Sequence, residues 1–165
     1  MRQRPEQIST GSRAARLGLL LSATFGVGCA TTLEQEREGA IERPFHVSLL
    51  TGSTIEDEES AVSLGLDFEV RLSPFLGVSA VVERAFGEID GTLLLGAADL
   101  HITDQFIVQT GPGVDFVDGE VETAFRIGTL YELERGGYTI SPQIHYDWTS
   151  GEDAIVVGVA LGVGF

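Results

Sequence analysis

The chain has 165 residues, with 25 acidic side chains, 10 Arg, no Lys and a formal net charge of −15. That length suits one domain, and the acidic balance argues against nucleic acid as a partner, because phosphate binding needs basic patches. After residue 30 no stretch approaches the ~18 consecutive apolar residues of a transmembrane helix, so a membrane could be crossed only by a closed sheet.

Residues 1–30 have the build of an export signal. Arg2, Arg4, Arg13 and Arg16 precede an apolar run, Leu17 to Val27, and small residues follow at Gly28, Cys29 and Ala30. The run is too short for a helical span and fits a signal peptide. Two processing routes stay open. Cleavage after Ala30 would leave a mature protein without cysteine, so without disulfides. Alternatively Val27-Gly28-Cys29 would make Cys29 a lipidated first residue, although Gly26 stands where such signals usually carry Leu. Without residues 1–30 the chain holds 24 acids against 6 Arg. Residues 31–44 are polar and acidic and read as a tether, ended by Pro44.

From residue 45 onward, bulky apolar residues alternate with small or polar ones, the period of a β-strand. Eight such segments are predicted, at about 45–54, 61–72, 75–87, 92–103, 105–116, 121–134, 138–149 and 153–165. The second is the clearest: Val62, Leu64, Leu66, Phe68, Val70 and Leu72 alternate with Ser63, Gly65, Asp67, Glu69 and Arg71. Arg84 breaks the apolar face of the third segment, and Leu93 and Leu95 blur the start of the fourth. Pro112 lies inside the fifth, where it removes a ladder donor. Short links at Ser73-Pro74, Asp104-Gln105 and Arg135-Gly136-Gly137 alternate with an acidic set at 53–60, 88–91, 117–120 and 150–152.

Alternation does not say which face is inside. A soluble barrel would bury the apolar set, and a membrane barrel would turn it outward. Two features favour the second. The non-apolar face carries many glycines, among them Gly65, Gly77, Gly111, Gly113, Gly128, Gly158, Gly162 and Gly164, which suit a cramped lumen. Aromatics of the apolar face gather near segment ends, as in two interfacial girdles: Phe45, Phe75, Phe106, Tyr131, Tyr138 and Phe165 among them.

The last segment, D-A-I-V-V-G-V-A-L-G-V-G-F, alternates bulky and small residues and stops on Phe165. It resembles the closing strand of bacterial outer-membrane barrels, and residues 45–165 resemble the small barrels of the OmpA and OmpX type. The resemblance implies an all-β, eight-stranded antiparallel up-and-down transmembrane β-barrel in the bacterial outer membrane. It also implies that residues 31–44 form a periplasmic tether and that the acidic links face outward. Phe165 would then belong to the signal read by the barrel-assembly machinery. The expected partners are that machinery and outer-membrane lipid, and the expected state is a monomer. The short outward links, Pro112, Arg84 and the possible lipid site at Cys29 depart from the better-known members.

The lumen face collects His46, Asp67, Glu69, Arg71, Glu83, Asp99, His101, Asp115, Glu122, Arg126, Glu132, His145 and Asp147. An eight-stranded lumen is just wide enough for side chains to fill. The expectation is a plug of ion pairs among Asp67, Glu69, Arg71, Asp99, Arg126, His145 and Asp147, giving a structural or envelope-interaction role. Acids outnumber Arg, so some must lie at the rims, be protonated or be hydrated. If Arg135-Gly136-Gly137 is the turn, positions summing to about 272 pair, which sets Arg126 opposite Tyr146 and next to Asp147. Two other functions compete: a narrow cation-selective channel, and a lipid A-modifying enzyme using His145, Asp147 and nearby Ser150. The three His are too scattered for a metal site. Glu56-Asp57-Glu58-Glu59 reads as a solvated hairpin tip that could also gather divalent cations. No nucleophile elbow or phosphate loop is present, and no catalytic residue, metal or cofactor is expected.

Overall fold

The computed structural model describes residues 43–57, 59–87, 89–117 and 119–165. The expected signal peptide, the Cys29 site and the tether up to residue 42 lie outside the described residues. The strands are β1 (Phe45–Glu56), β2 (Glu59–Ser73), β3 (Leu76–Gly87), β4 (Gly91–His101), β5 (Phe106–Val117), β6 (Glu120–Tyr131), β7 (Leu133–Arg135), β8 (Tyr138–Thr149) and β9 (Ala154–Gly164). Apart from β6 and β7, which both pair with β8, each strand pairs antiparallel with its sequence neighbours, and β1 pairs with β9, so the sheet closes on itself.

The barrel has eight staves. β6 and β7 are one stave interrupted at Glu132, since both pair with β8 in the same register. Pairing with β8 lapses at Tyr131 and Glu132, opposite Pro142 and Ser141, and Pro142 has no N–H to give to a neighbour. A second gap lies between β4 and β5, where pairing passes from Leu95↔Gly113 to Ala98↔Thr110. Pro112 sits inside that gap.

The rim carrying Phe45 and Phe165 is here the proximal rim, and the opposite one the distal rim. At the proximal rim β7 and β8 are joined by Gly136 and Gly137, both at positive φ (64° and 88°). Two central residues with φ > 0 match the right-handed twist of a hairpin, and glycine adopts them without a steric cost. Leu72 is extra between Arg71 and Ser73, a bulge just before the Pro74 turn. The distal connections are 57–58, 88–90, 118–119 and 150–153, none longer than four residues.

The exterior is apolar. Leu49, Val62, Leu64, Leu66, Leu72, Ile144, Val157, Val159 and Leu161 are all exposed. An apolar patch of that extent on all staves is incompatible with water and suits lipid. Aromatic residues bound it. Phe45 packs on Phe165 and Phe68 towards the proximal rim, with ring centroids 5.8 and 6.2 Å apart. Towards the distal rim Trp148 meets Tyr146 (4.6 Å) and Phe125 (6.1 Å). Arg84, the exception on the apolar face, lies near the end of β3. It donates to Thr92 Oγ1 (2.7 Å), pairs with Asp90 and covers the Phe86 ring. Proximity to the rim lets its charge reach polar partners.

Candidate functional site

The lumen is filled in layers. Nearest the distal rim, Arg126 of β6 is 1% exposed. Its Nε and Nη2 donate to Asp147 Oδ1 and Oδ2, each at 2.6 Å. Its Nη1 lies 2.9 Å from Glu83 Oε2 on β3, across the lumen. A guanidinium fork matches a carboxylate in this way, and both partners are buried, so the pairing is charge-assisted and shielded from solvent. The turn at Gly136-Gly137 sets pairs that sum to 273, so Arg126 faces Asp147 directly rather than Tyr146. The sequence-based register was one residue out because the turn has two central residues, not three.

Beneath this layer apolar side chains enter the lumen. Leu50 clusters with Val156 and Ala160, and Val81 with Leu95 and Ala97. His145 is buried at this depth over Gly128, and its Nδ1 has no hydrogen-bond partner. It therefore does not join the ion-pair network expected of it. The carboxylates near Arg126 are Glu83 and Asp147, and Asp147 is occupied on both oxygens.

A third layer centres on Gln109 of β5, which is buried in the lumen. Its amide nitrogen donates to Asp67 Oδ2 (3.0 Å) and Asp99 Oδ1 (2.9 Å). The fourth layer is a triangle near the proximal rim. Arg71 Nη2 lies 3.1 Å from His101 Nδ1, and His101 Nε2 lies 2.7 Å from Glu69 Oε1. Arg only donates, so Nδ1 accepts, and the ring proton sits on Nε2 and is donated to Glu69. Arg71 Nε is 3.6 Å from the same carboxylate. His46 is hydrogen-bonded to Thr139 alongside (2.8 Å).

The lumenal glycines give these groups room. A Cβ on Gly77 would overlap the Glu69 carboxylate, one on Gly158 the Leu50 side chain, one on Gly162 the His46 ring, and one on Gly128 the His145 ring. Glycine is thus the socket for a large side chain on the neighbouring strand. Gly128→Ala should destabilise the barrel by about 1–3 kcal/mol, as overpacking does, measured as a lower urea midpoint. Pairing it with His145→Ala should return part of the loss. An unchanged midpoint in Gly128→Ala would show that the socket is not tight.

Among the described residues a small cavity of about 30 Å³ lies beside Arg126, Glu83 and Asp115, and another of about 20 Å³ beside Asp67, Asp99 and Glu132. Ser150 lies in the distal connection and bonds through its N–H to the Thr123 carbonyl (3.1 Å). Among the described residues no group of three or more His, Cys, Asp or Glu is arranged to hold a metal ion.

No protein-family model matches the chain, and no curated protein matches it in sequence. Solved structures do match in fold. The N-terminal β-barrel domain of OprF from Pseudomonas aeruginosa is 12% identical, with a TM-score of 0.55 over 73% of this chain and 97% of that one. A de novo designed transmembrane β-barrel is 14% identical, with a TM-score of 0.51 over 72% and 94%. A second designed barrel, TMB2.3, is 14% identical, with a TM-score of 0.50 over 73% and 95%. At such identities the likeness is one of fold, and it agrees with the apolar exterior and charged interior: the chain folds as a small eight-stranded transmembrane β-barrel of the outer-membrane type.

Proposed function

We propose that the chain is a closed, non-enzymatic barrel of the bacterial outer membrane, with a structural or envelope-interaction role and a lumen plugged by ion pairs. The observation that carries this reading is Arg126, which ties β6 to Glu83 across the lumen and to Asp147 beside it. The apolar clusters below it, Leu50 with Val156 and Ala160 and Val81 with Leu95 and Ala97, weigh against a continuous polar path. A cation channel needs such a path, with sites weak enough to leave. A lipid A enzyme would need His145 positioned by an acid and facing a nucleophile. Here Asp147 is held by Arg126, and His145 is enclosed over Gly128. In this reading both ends of the barrel lie on the periplasmic side. The acidic distal rim, with Glu56, Asp57, Glu59, Asp90, Glu152 and Asp153, faces outward. Phe165 takes part in delivery to the assembly machinery, lipid is the surrounding partner, and the barrel acts as a monomer.

The deciding measurement is conductance of the purified protein in planar bilayers. The wild-type barrel should give no stepwise currents. Cation-selective steps in the wild type would replace the plug with a channel.

A further inference from the structure

The third lumenal layer is short of positive charge. Asp67 and Asp99 approach one another only through the amide of Gln109, which has two hydrogens and gives one to each carboxylate. The next acceptor of that nitrogen, Ser79 Oγ, is further away at 3.3 Å. Asp67 Oδ1 and Asp99 Oδ2 have no hydrogen-bond partner. Asp99 is 3% exposed, and both aspartates line the cavity of about 20 Å³. That space holds about one water.

The surrounding charges do not balance the pair. On β2 and β4 the next groups towards the proximal rim are Glu69, Arg71 and His101. Arg71 and His101 are already directed at Glu69 and at each other. Between β6 and β7 stands Glu132, a further acid lining the same cavity, and β1 supplies His46, bonded to Thr139. Arg126 lies beyond the apolar layer with two carboxylates of its own. Two ionised carboxylates bridged by one neutral amide would each keep an unpaired oxygen away from water, which is costly.

We infer that Asp67 and Asp99 form a one-proton site: at neutral pH one of the two carries a proton, held between them at the centre of the lumen. One proton leaves a single negative charge across the pair, and an acid hydroxyl can turn its hydrogen towards an oxygen that has no donor. The same count explains how a chain with so few cations can close its interior. It goes beyond the closed-barrel reading, since a barrel that conducts could also hold this proton.

The test is infrared spectroscopy of the full chain folded in detergent micelles, following the carbonyl stretch of protonated carboxyl groups. At neutral pH the wild type should show the band of about one carboxyl per chain, and the band should fade as pH rises. Asp67→Asn and Asp99→Asn should each abolish it, because the remaining aspartate then has amide donors and its partner carboxylate is gone. Each variant stands in for the other if one does not fold. A native state that holds a proton the unfolded chain releases loses stability as pH rises. The urea midpoint of the wild type should therefore fall from mildly acidic to alkaline pH, and that slope should flatten in either variant. No band in the wild type at neutral pH overturns the inference, as does a band that survives both substitutions. A band that is displaced by added sodium at constant pH also overturns it, since the site would then hold a metal cation in place of the proton.

Discussion

Replacing Arg126 by Met should lower the stability of the folded barrel by about 3–5 kcal/mol, the range for removing one partner of a buried charge pair. The loss arises less from the vanished attraction than from what is left. Glu83 and Asp147 would face each other across a narrow lumen, both buried and both without the guanidinium that satisfied them. Adding Asp147→Asn to Arg126→Met should recover part of the loss, because one stranded charge is then gone. Urea unfolding of the two single variants and the double gives the coupling directly. A double-variant loss equal to the sum of the singles would mean that the two side chains do not interact. Any water admitted to the lumen would bring the single-variant losses down together, with the coupling shrinking in proportion.

Removing Phe165 should reduce the amount of assembled barrel in the membrane several-fold while leaving the remaining barrels nearly as stable. Phe165 donates its N–H to the Phe45 carbonyl (2.8 Å) and accepts from the Phe45 N–H (3.1 Å), and the two rings pack together. These are the outermost contacts of the β1–β9 seam, where the first and last strands meet. The readouts are membrane yield and the shift in gel mobility between unboiled and boiled samples. A deletion with full yield and a normal shift would show that neither the seam nor a recognition signal depends on this residue.

Much of this architecture is visible in the alternation of residues. Val62 to Leu72 point outward one by one and Ser63 to Arg71 point inward, because a strand has no other way to arrange them. Placing the greasy face outward follows from residues such as Gly77, Gly128 and Gly162, whose bareness makes sense only beneath Glu69, His145 and His46. Less was readable wherever a single position decided the outcome. The pairing of Arg126 depended on whether the glycine turn counts two residues or three. The break at Glu132 depended on Pro142, which lies on the partner strand. Leu50, Val81, Leu95 and Val156 occupy the lumenal face yet make an apolar layer, which alternation cannot separate from a polar one when small residues surround them. The role of Gln109 was hidden for a different reason. Its importance comes from two carboxylates 42 and 10 positions away in sequence, brought to it by the closing of the sheet.

The contact between Arg126 and Glu83 also bears on how such a chain could evolve. Every stave but the first and last joins its neighbours through a short hairpin, so duplicating one hairpin would preserve the pattern of connections. The added closure entropy would be small, about 0.6 kcal/mol for each doubling of loop length. The bore, however, widens with each added strand. Arg126 reaches Glu83 from three staves away only because eight strands keep the two walls within one side chain's length. A ten-stranded descendant would carry the same residues on walls too far apart to meet. Its buried carboxylates would have to be hydrated, so a duplication that leaves the wall intact would turn a stopper into a water-filled passage in one step.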